Sequence, residues 1–198
     1  SGGCSRIDGK LGQFLLQLKM TNQSPSSVAI VGATSPIGRF LISRLRKANM
    51  KFFAVGRRNR KFDGYDIHCF DASSKCFEPP IQEADAIINC APLPTIDQAL
   101  DMADHLGASR IIAFGSTGRF TKSGSSSPIE REFVSEQAAA EKRFEARSIQ
   151  QGIAWTLFRP TMIYGGGSDL NVVFIGSFIR RYRFFPIPRG AKGLRQPV

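Results

Sequence analysis

The sequence predicts an α/β protein: a doubly wound parallel sheet with helices on both faces. Three observations carry this. Short apolar, β-branched runs alternate with amphipathic stretches along the chain, the pattern of parallel strands joined by helices. One such run, Val28 to Gly38 (VAIVGATSPIG), passes from a strand through small residues straight into a helix start. At 198 residues the chain is about one domain, large enough to bury a core without bridges or metals.

The chain opens with SGG, which resembles a tag remnant, and Leu11, Phe14, Leu15 and Leu18 then fall at helical spacing before a polar break, TNQSPSS. Residues 1–27 are therefore read as a leading segment with a short amphipathic helix that covers part of the sheet or a neighbouring subunit. A membrane-surface role has only Lys10 and Lys19 to support it.

VAIVG is the first strand. Gly32 lets the backbone pass close to a pyrophosphate, Ser35 is a natural N-cap, Pro36 a natural first helical residue, and Gly38 lets the helix lie tight against the strand. With Thr34 and Ile37 these residues form a phosphate-cradling turn, whose following helix runs through Lys47 and favours anions at its start. The bland alternative is a strand–turn–helix corner with no ligand.

The later strands place further candidates at their ends, where ligands of such sheets bind. FFAVG (52–56) is followed by Arg57 and Arg58, where a carboxylate would mark an unphosphorylated dinucleotide; two guanidiniums instead favour a 2′-phosphate and hence NADP(H) over NAD(H). Arg39 could join that pocket, and a solvated basic turn is the alternative. After DIHCF (66–70), Asp71 either accepts a hydrogen bond from the adenine amino group or caps a turn. DAIINCA (85–91) brings Asn89, Cys90, Ala91 and Pro92, small residues where a backbone runs beside the cofactor. A helix around 95–106 follows. RIIAFGS (110–116) ends in Gly115-Ser116-Thr117-Gly118, with hydroxyls at the sheet's reactive edge or in ordinary turn chemistry. A long helix around 130–150 and a last strand, IAWTLF (153–158), lead to Pro160.

Composition narrows the function classes. No apolar run approaches the roughly 20 residues of a membrane span and no signal-peptide layout is present, so a soluble, cytoplasmic protein without membrane partners is expected. Cys4, Cys69, Cys76 and Cys90 are scattered and only His68 and His105 accompany them; no metal site is expected. The net charge of +11, from 27 basic and 16 acidic residues, concentrates at Arg57 to Lys61 and from Arg180 to Arg195. Nucleic acid is the broad reading, aided by aromatics among Arg180, Arg181, Tyr182, Arg183, Phe184 and Phe185, but a small anionic ligand explains the positions better.

Together GATSPIG, VGRR, Asp71, NCAP, GSTG and Phe158-Arg159-Pro160-Thr161-Met162-Ile163-Tyr164-Gly165 resemble an extended short-chain dehydrogenase/reductase, the superfamily of nucleotide-sugar epimerases and dehydratases. The resemblance covers residues 28–198, with six motifs in the family's order. It implies a Rossmann dinucleotide domain over 28–160 and, over 161–198, the start of a truncated substrate-binding region. It also implies a nicotinamide and substrate site near the Arg-Pro-x-x-x-Tyr-Gly stretch. Ser35 departs from the family's common middle glycine.

The family's chemistry needs a Tyr-x-x-x-Lys pair on the long helix, in which the phenol transfers a proton and the lysine lowers its pKa from about 10. In this chain those places fall on Phe133 and Gln137. Phenylalanine has no proton to give; Gln137 can hydrogen-bond a ribose hydroxyl but carries no charge. Lys142 points about 140° away from Gln137 at 100° per residue and is expected to face solvent. Tyr164 is a weak substitute donor.

Two functions therefore compete. One is an NAD(P)(H)-binding protein with weak or absent family-type catalysis. The other is an active NADP-dependent oxidoreductase or epimerase on a nucleotide sugar or similar anionic substrate. There Ser116 polarises a carbonyl, and Arg180, Arg181, Arg189 and Arg195 suit a substrate diphosphate. The long helix, with Phe133, Ala138 to Ala140 and Phe144, serves either a homodimer face or core packing.

Overall fold

The structure, a computed structural model, describes residues 25–71, 76–78, 81–161, 163 and 170–186. The leading amphipathic stretch, Tyr164, Arg189 and Arg195 lie outside the described residues.

β1 (Ser27–Val31) pairs in parallel with β2 (Lys51–Gly56) on one side and β6 (Ala86–Asn89) on the other. Both of its faces are covered, which explains its unbroken apolar run. β4 (Tyr65–Asp71) lies beyond β2, while β7 (Arg110–Phe114) and β8 (Ala154–Phe158) continue beyond β6, all parallel. The parallel order is β4-β2-β1-β6-β7-β8, so the chain reverses direction across the sheet between β1 and β6, a topological switch point. Val31 registers with Val55 and with Asn89. Gly32, Arg57 and Cys90 therefore leave the sheet at one edge.

Two short strands were not expected from the sequence. β3 (Arg60–Phe62) runs antiparallel along the first half of β4, and β5 (Cys76–Glu78) along the second half. The chain thus returns from β2 to β4 through a strand instead of a helix. Asp63 and Gly64, with φ of 52° and 75°, form the two-residue hairpin between β3 and β4. An Asp-Gly pair is the favoured sequence for such a turn, so the signal was present in KFDGYD.

Alternate residues of each strand feed two layers. On one face Val28, Ile30, Ala54 and Ile67 pack with Ile42 of α1 (Pro36–Lys47). On the other, Ala29, Val55, Ile87 and Ile111 pack with Leu100 of α2 (Ile96–His105), and with Ala140 and Phe144 of a long helix. A four-residue turn of helix, α3 (Gly118–Thr121), precedes that long helix, α4 (Pro128–Gln150). Phe144 is fully buried edge-on to Trp155, 5.6 Å between centroids. Of the two readings of α4, core packing takes Ala140 and Phe144, while Phe133 and Ala139 stay exposed.

α5 (Leu170–Tyr182) was not anticipated as a helix. It carries Arg180 and Arg181 in its last turn, both exposed, and exposes Phe174, Ile179 and Tyr182. No helix among the described residues is long and apolar enough to cross a membrane.

Candidate cofactor cleft

The glycine turn is built as its sequence requires. Gly32 has φ +72°, and a Cβ there would lie 2.6 Å from the Ala91 nitrogen and 2.8 Å from the Cys90 carbonyl carbon. The turn therefore packs backbone to backbone against the end of β6, with room for nothing larger than hydrogen at Gly32. Gly38 meets the turn from the helix side, where a Cβ would sit 2.6 Å from the Gly32 oxygen. Ser35 N–H donates to the Gly32 carbonyl (2.9 Å), and the Ser35 hydroxyl accepts from Gly38 N–H (3.1 Å), the N-cap expected. Ser35 has φ −67° and ψ 160°, ordinary extended backbone, so a side chain is accommodated at this position of the turn. Thr34 and Pro36 are exposed at this edge and Ile37 is half-buried.

Arg57 and Arg58 are exposed just past β2, and neither guanidinium has an ion-pair partner among the described residues. Their loop is anchored to β4: the Asn59 side chain accepts from Cys69 N–H (2.6 Å) and the Arg57 carbonyl from the Cys69 thiol (3.3 Å). Asn59 had no visible signal in the sequence. Arg39 is turned elsewhere; its guanidinium lies over the Phe62 ring, 5.5 Å from the centroid. Asp71 is the last residue of β4 and not a residue beyond it; its side chain lies outside the described residues. Asn89 is fully buried, its amide donating to the Ala91 carbonyl (3.4 Å) with Oδ1 unpartnered among the described residues. Ala91 backs directly onto Gly32, while Pro92 is exposed beside it.

Beyond β7 and β8 the loops are tied together. Gly115 N–H donates to the Phe158 carbonyl (2.7 Å), and both the N–H and the hydroxyl of Thr117 donate to the Pro160 carbonyl (3.2 and 3.3 Å). A cleft of about 350 Å³ opens here, walled by Ile37, Phe114, Phe158, Arg159, Pro160 and Ile163. Its surface is apolar, with Phe114 stacked on Phe158 at 5.7 Å, and Arg159 is its one charged wall residue among the described residues. Ser116 and Gln137, expected at this reactive edge, are not among its walls. The Ser116 hydroxyl instead accepts from Gly118 N–H (3.1 Å) at the start of α3.

On α4, Phe133 is 51% exposed whereas Gln137, one turn on, is 6% exposed. Lys142 faces solvent, as its spacing predicted. Sequence reasoning missed Glu141. It is buried, accepts from Arg159 through Nε (3.1 Å) and Nη2 (2.8 Å), and also pairs with Arg119. Hydrogen bonding to this carboxylate raises the Arg159 pKa, and both guanidiniums lie over the Phe120 ring. Glu141 thus fastens the residues after β7 and β8 to α4. Its signal was an acidic residue on the buried side of a helix, one turn beyond Gln137. Among the described residues no group of metal-ligating side chains is assembled, and Cys69 and Cys90 are free thiols.

No family model matches the chain, and no curated protein matches it. Solved structures do. The nucleoside-diphosphate sugar epimerase from Corynebacterium glutamicum is 18% identical with a TM-score of 0.57, over 84% of this chain and 41% of that one. The UDP-N-acetylglucosamine 4-epimerase from Bacillus cereus is 15% identical, TM-score 0.59, over 78% and 60%. MoeE5 in complex with UDP-glucose and NAD is 17% identical, TM-score 0.54, over 78% and 60%. The protein therefore has the α/β Rossmann-like fold of these structures, and the chain spans 41% to 60% of their lengths.

Proposed function

We propose that this chain binds a nicotinamide dinucleotide at the switch point, with NADP(H) preferred over NAD(H). The observation that carries the proposal is the turn at the switch point, where Gly32 at φ +72° leads into a helix capped by Ser35 and started by Pro36. This cradle fits a pyrophosphate, which needs close backbone approach and a helix N-terminus. Gly32, Thr34, Ser35, Pro36, Ile37 and Gly38 would hold it. Arg57 and Arg58 would take the 2′-phosphate, Asp71 the adenine, Ala91 and Pro92 the ribose edge, Gln137 a ribose hydroxyl and Pro160 the nicotinamide side. Residues 28–160 then form the cofactor unit and 161–198 lead into a substrate-binding part.

Catalysis of the family type is expected to be weak or absent. Bound NADP(H) would supply hydride transfer, but the proton must come from the chain. Phe133 has none, Gln137 is neutral, and loss of a general acid/base costs about 10²- to 10⁴-fold in rate. The test is fluorescence titration with NADPH and NADH. Micromolar NADPH binding, tighter than NADH, is expected; no binding of either at millimolar concentration removes the proposal.

A second reading, an active enzyme on a nucleotide sugar or similar anion, draws on the UDP-glucose and NAD of the MoeE5 complex and on the Ser116 hydroxyl. A Phe133→Tyr, Gln137→Lys double change separates the two. Hydride exchange that appears only in the double variant supports a retired site; exchange in the unaltered protein supports the enzyme.

A further inference from the structure

Arg39, Ser43, Arg46 and Lys47 lie along one stripe of α1, because positions i, i+4, i+7 and i+8 share a helix side. The stripe borders the β3–β4 hairpin, and between them is a cleft of about 330 Å³ walled by those four residues with Ile42, Asp63 and Tyr65. Tyr65 begins β4. The cleft therefore opens at the sheet edge opposite the strand ends that carry Gly32 and Arg57. Arg46 and Lys47 sit ten or more residues, about 15 Å, along the helix axis from Pro36.

The cleft is held in shape. Arg46 donates to the carbonyls of Asp63 (3.3 Å) and Gly64 (2.7 Å), pinning the hairpin to α1, and its guanidinium lies over the Tyr65 ring. Phe52 and Phe62 pack edge-on against the same ring, at 6.1 and 5.9 Å. The ring is fixed, yet the Tyr65 hydroxyl is buried with no hydrogen-bond partner among the described residues. Buried polar groups are nearly always satisfied in folded proteins, so this hydroxyl takes its acceptor from a water or a ligand oxygen. Burial, reinforced by the Asp63 carboxylate, raises the Tyr65 pKa against the pull of nearby arginines, so the phenol stays a proton donor at neutral pH. Three cations and one carboxylate wall the cleft, and Arg60 also acts on the phenol.

We propose that this cleft is a second anion site, which binds a phosphate group between the Tyr65 and Ser43 hydroxyls and the charges of Arg39 and Lys47, with Arg46 holding the wall. Cations with hydroxyl donors match phosphate oxygens, and Arg39, fixed over Phe62, is oriented before binding. The ligand is inorganic phosphate or a phosphomonoester. The site does not depend on the dinucleotide reading.

The test is amide NMR of the whole chain, titrated with inorganic phosphate and with glycerol 3-phosphate at ionic strength held constant with chloride. Saturable shifts at Ser43, Lys47 and Asp63 to Tyr65 are expected. Tyr65→Phe should weaken binding about tenfold and Lys47→Gln several-fold, the worth of one charge-assisted contact each. Tighter binding of glycerol 3-phosphate identifies a phosphorylated metabolite, and equal affinity identifies free phosphate; both support the site. Shifts confined to residues 32–38, no saturation, or equal affinity in wild type and variants overturn it. Where Tyr65→Phe does not fold by circular dichroism, the wild-type shift map and Lys47→Gln decide. NADPH titration of Lys47→Gln, expected to match wild type, keeps this result apart from that of the dinucleotide cleft.

Discussion

Replacing Gly38 by alanine sets two effects of opposite sign against each other. Gly38 is the third residue of α1, where alanine is favoured over glycine by up to about 1 kcal/mol. Its φ is not positive, so conformation poses no obstacle. Contact does. The new Cβ would lie 2.6 Å from the Gly32 oxygen and 2.8 Å from the Ala33 oxygen, both backbone atoms. Those atoms cannot rotate away, because Gly32 N–H is bonded to the Val55 carbonyl (3.1 Å) and Ser35 N–H to Gly32 (2.9 Å). Relief requires α1 to shift off the turn. Overpacking of this kind costs about 1–3 kcal/mol, here at the upper end, so the net loss is about 2 kcal/mol. With a urea dependence of about 2 kcal/mol/M, the unfolding midpoint falls by about 1 M. The shift also withdraws the helix N-terminus from the turn, so NADPH affinity drops by about tenfold or more. A Gly38→Ala chain about 1 kcal/mol more stable than wild type, with NADPH binding intact, refutes the close-contact argument.

Glu141→Ala strips the buried acceptor from Arg119 and Arg159. We expect a loss of about 3 kcal/mol in urea unfolding, the low end for a broken buried pair, because the arginines are 26% and 38% exposed and rehydrate. A loss under about 1 kcal/mol contradicts the clamp. Arg57→Ala with Arg58→Ala should weaken NADPH by about 10- to 100-fold while NADH changes little; parallel weakening of both argues against a 2′-phosphate contact. Burial pushes the Cys90 thiol from 9.0 up to about 12. A raised thiol pKa leaves stability intact below pH 9, where neither state ionises, and erodes it as pH climbs towards 12, because only the unfolded chain releases the proton. The wild-type stability, measured against Cys90→Ser, should decline over that window; a flat difference contradicts it.

Much of the fold was legible locally. β1, β2, β4, β6, β7 and β8 follow from short apolar runs that alternate with helix-like stretches, and Ser35-Pro36 marks the start of α1 to the residue. β3 escaped notice because Arg60-Lys61-Phe62 is short and charged and pairs only along an edge. α5 escaped because its aromatic and basic residues read as a ligand surface. At the site, Gly32 and Gly38 were legible from residue type alone. Glu141 was not, since its role depends on Arg119 and Arg159, 22 and 18 residues away.

Residue order alone settled the turn: a glycine where no Cβ fits, a capping serine and a helix-starting proline are local requirements, and local requirements are written in neighbouring residues. It also set Phe133 and Gln137 in one helix, one turn apart. Only the tertiary structure decided which groups meet. It sent Arg39 to the Phe62 ring, kept Ser116 and Gln137 out of the walls of the apolar cleft, and placed a Tyr65 hydroxyl with no partner among the described residues beside α1's cations. The physical reason is that side-chain direction depends on which helix stripe faces which strand, and packing between segments remote in sequence settles that.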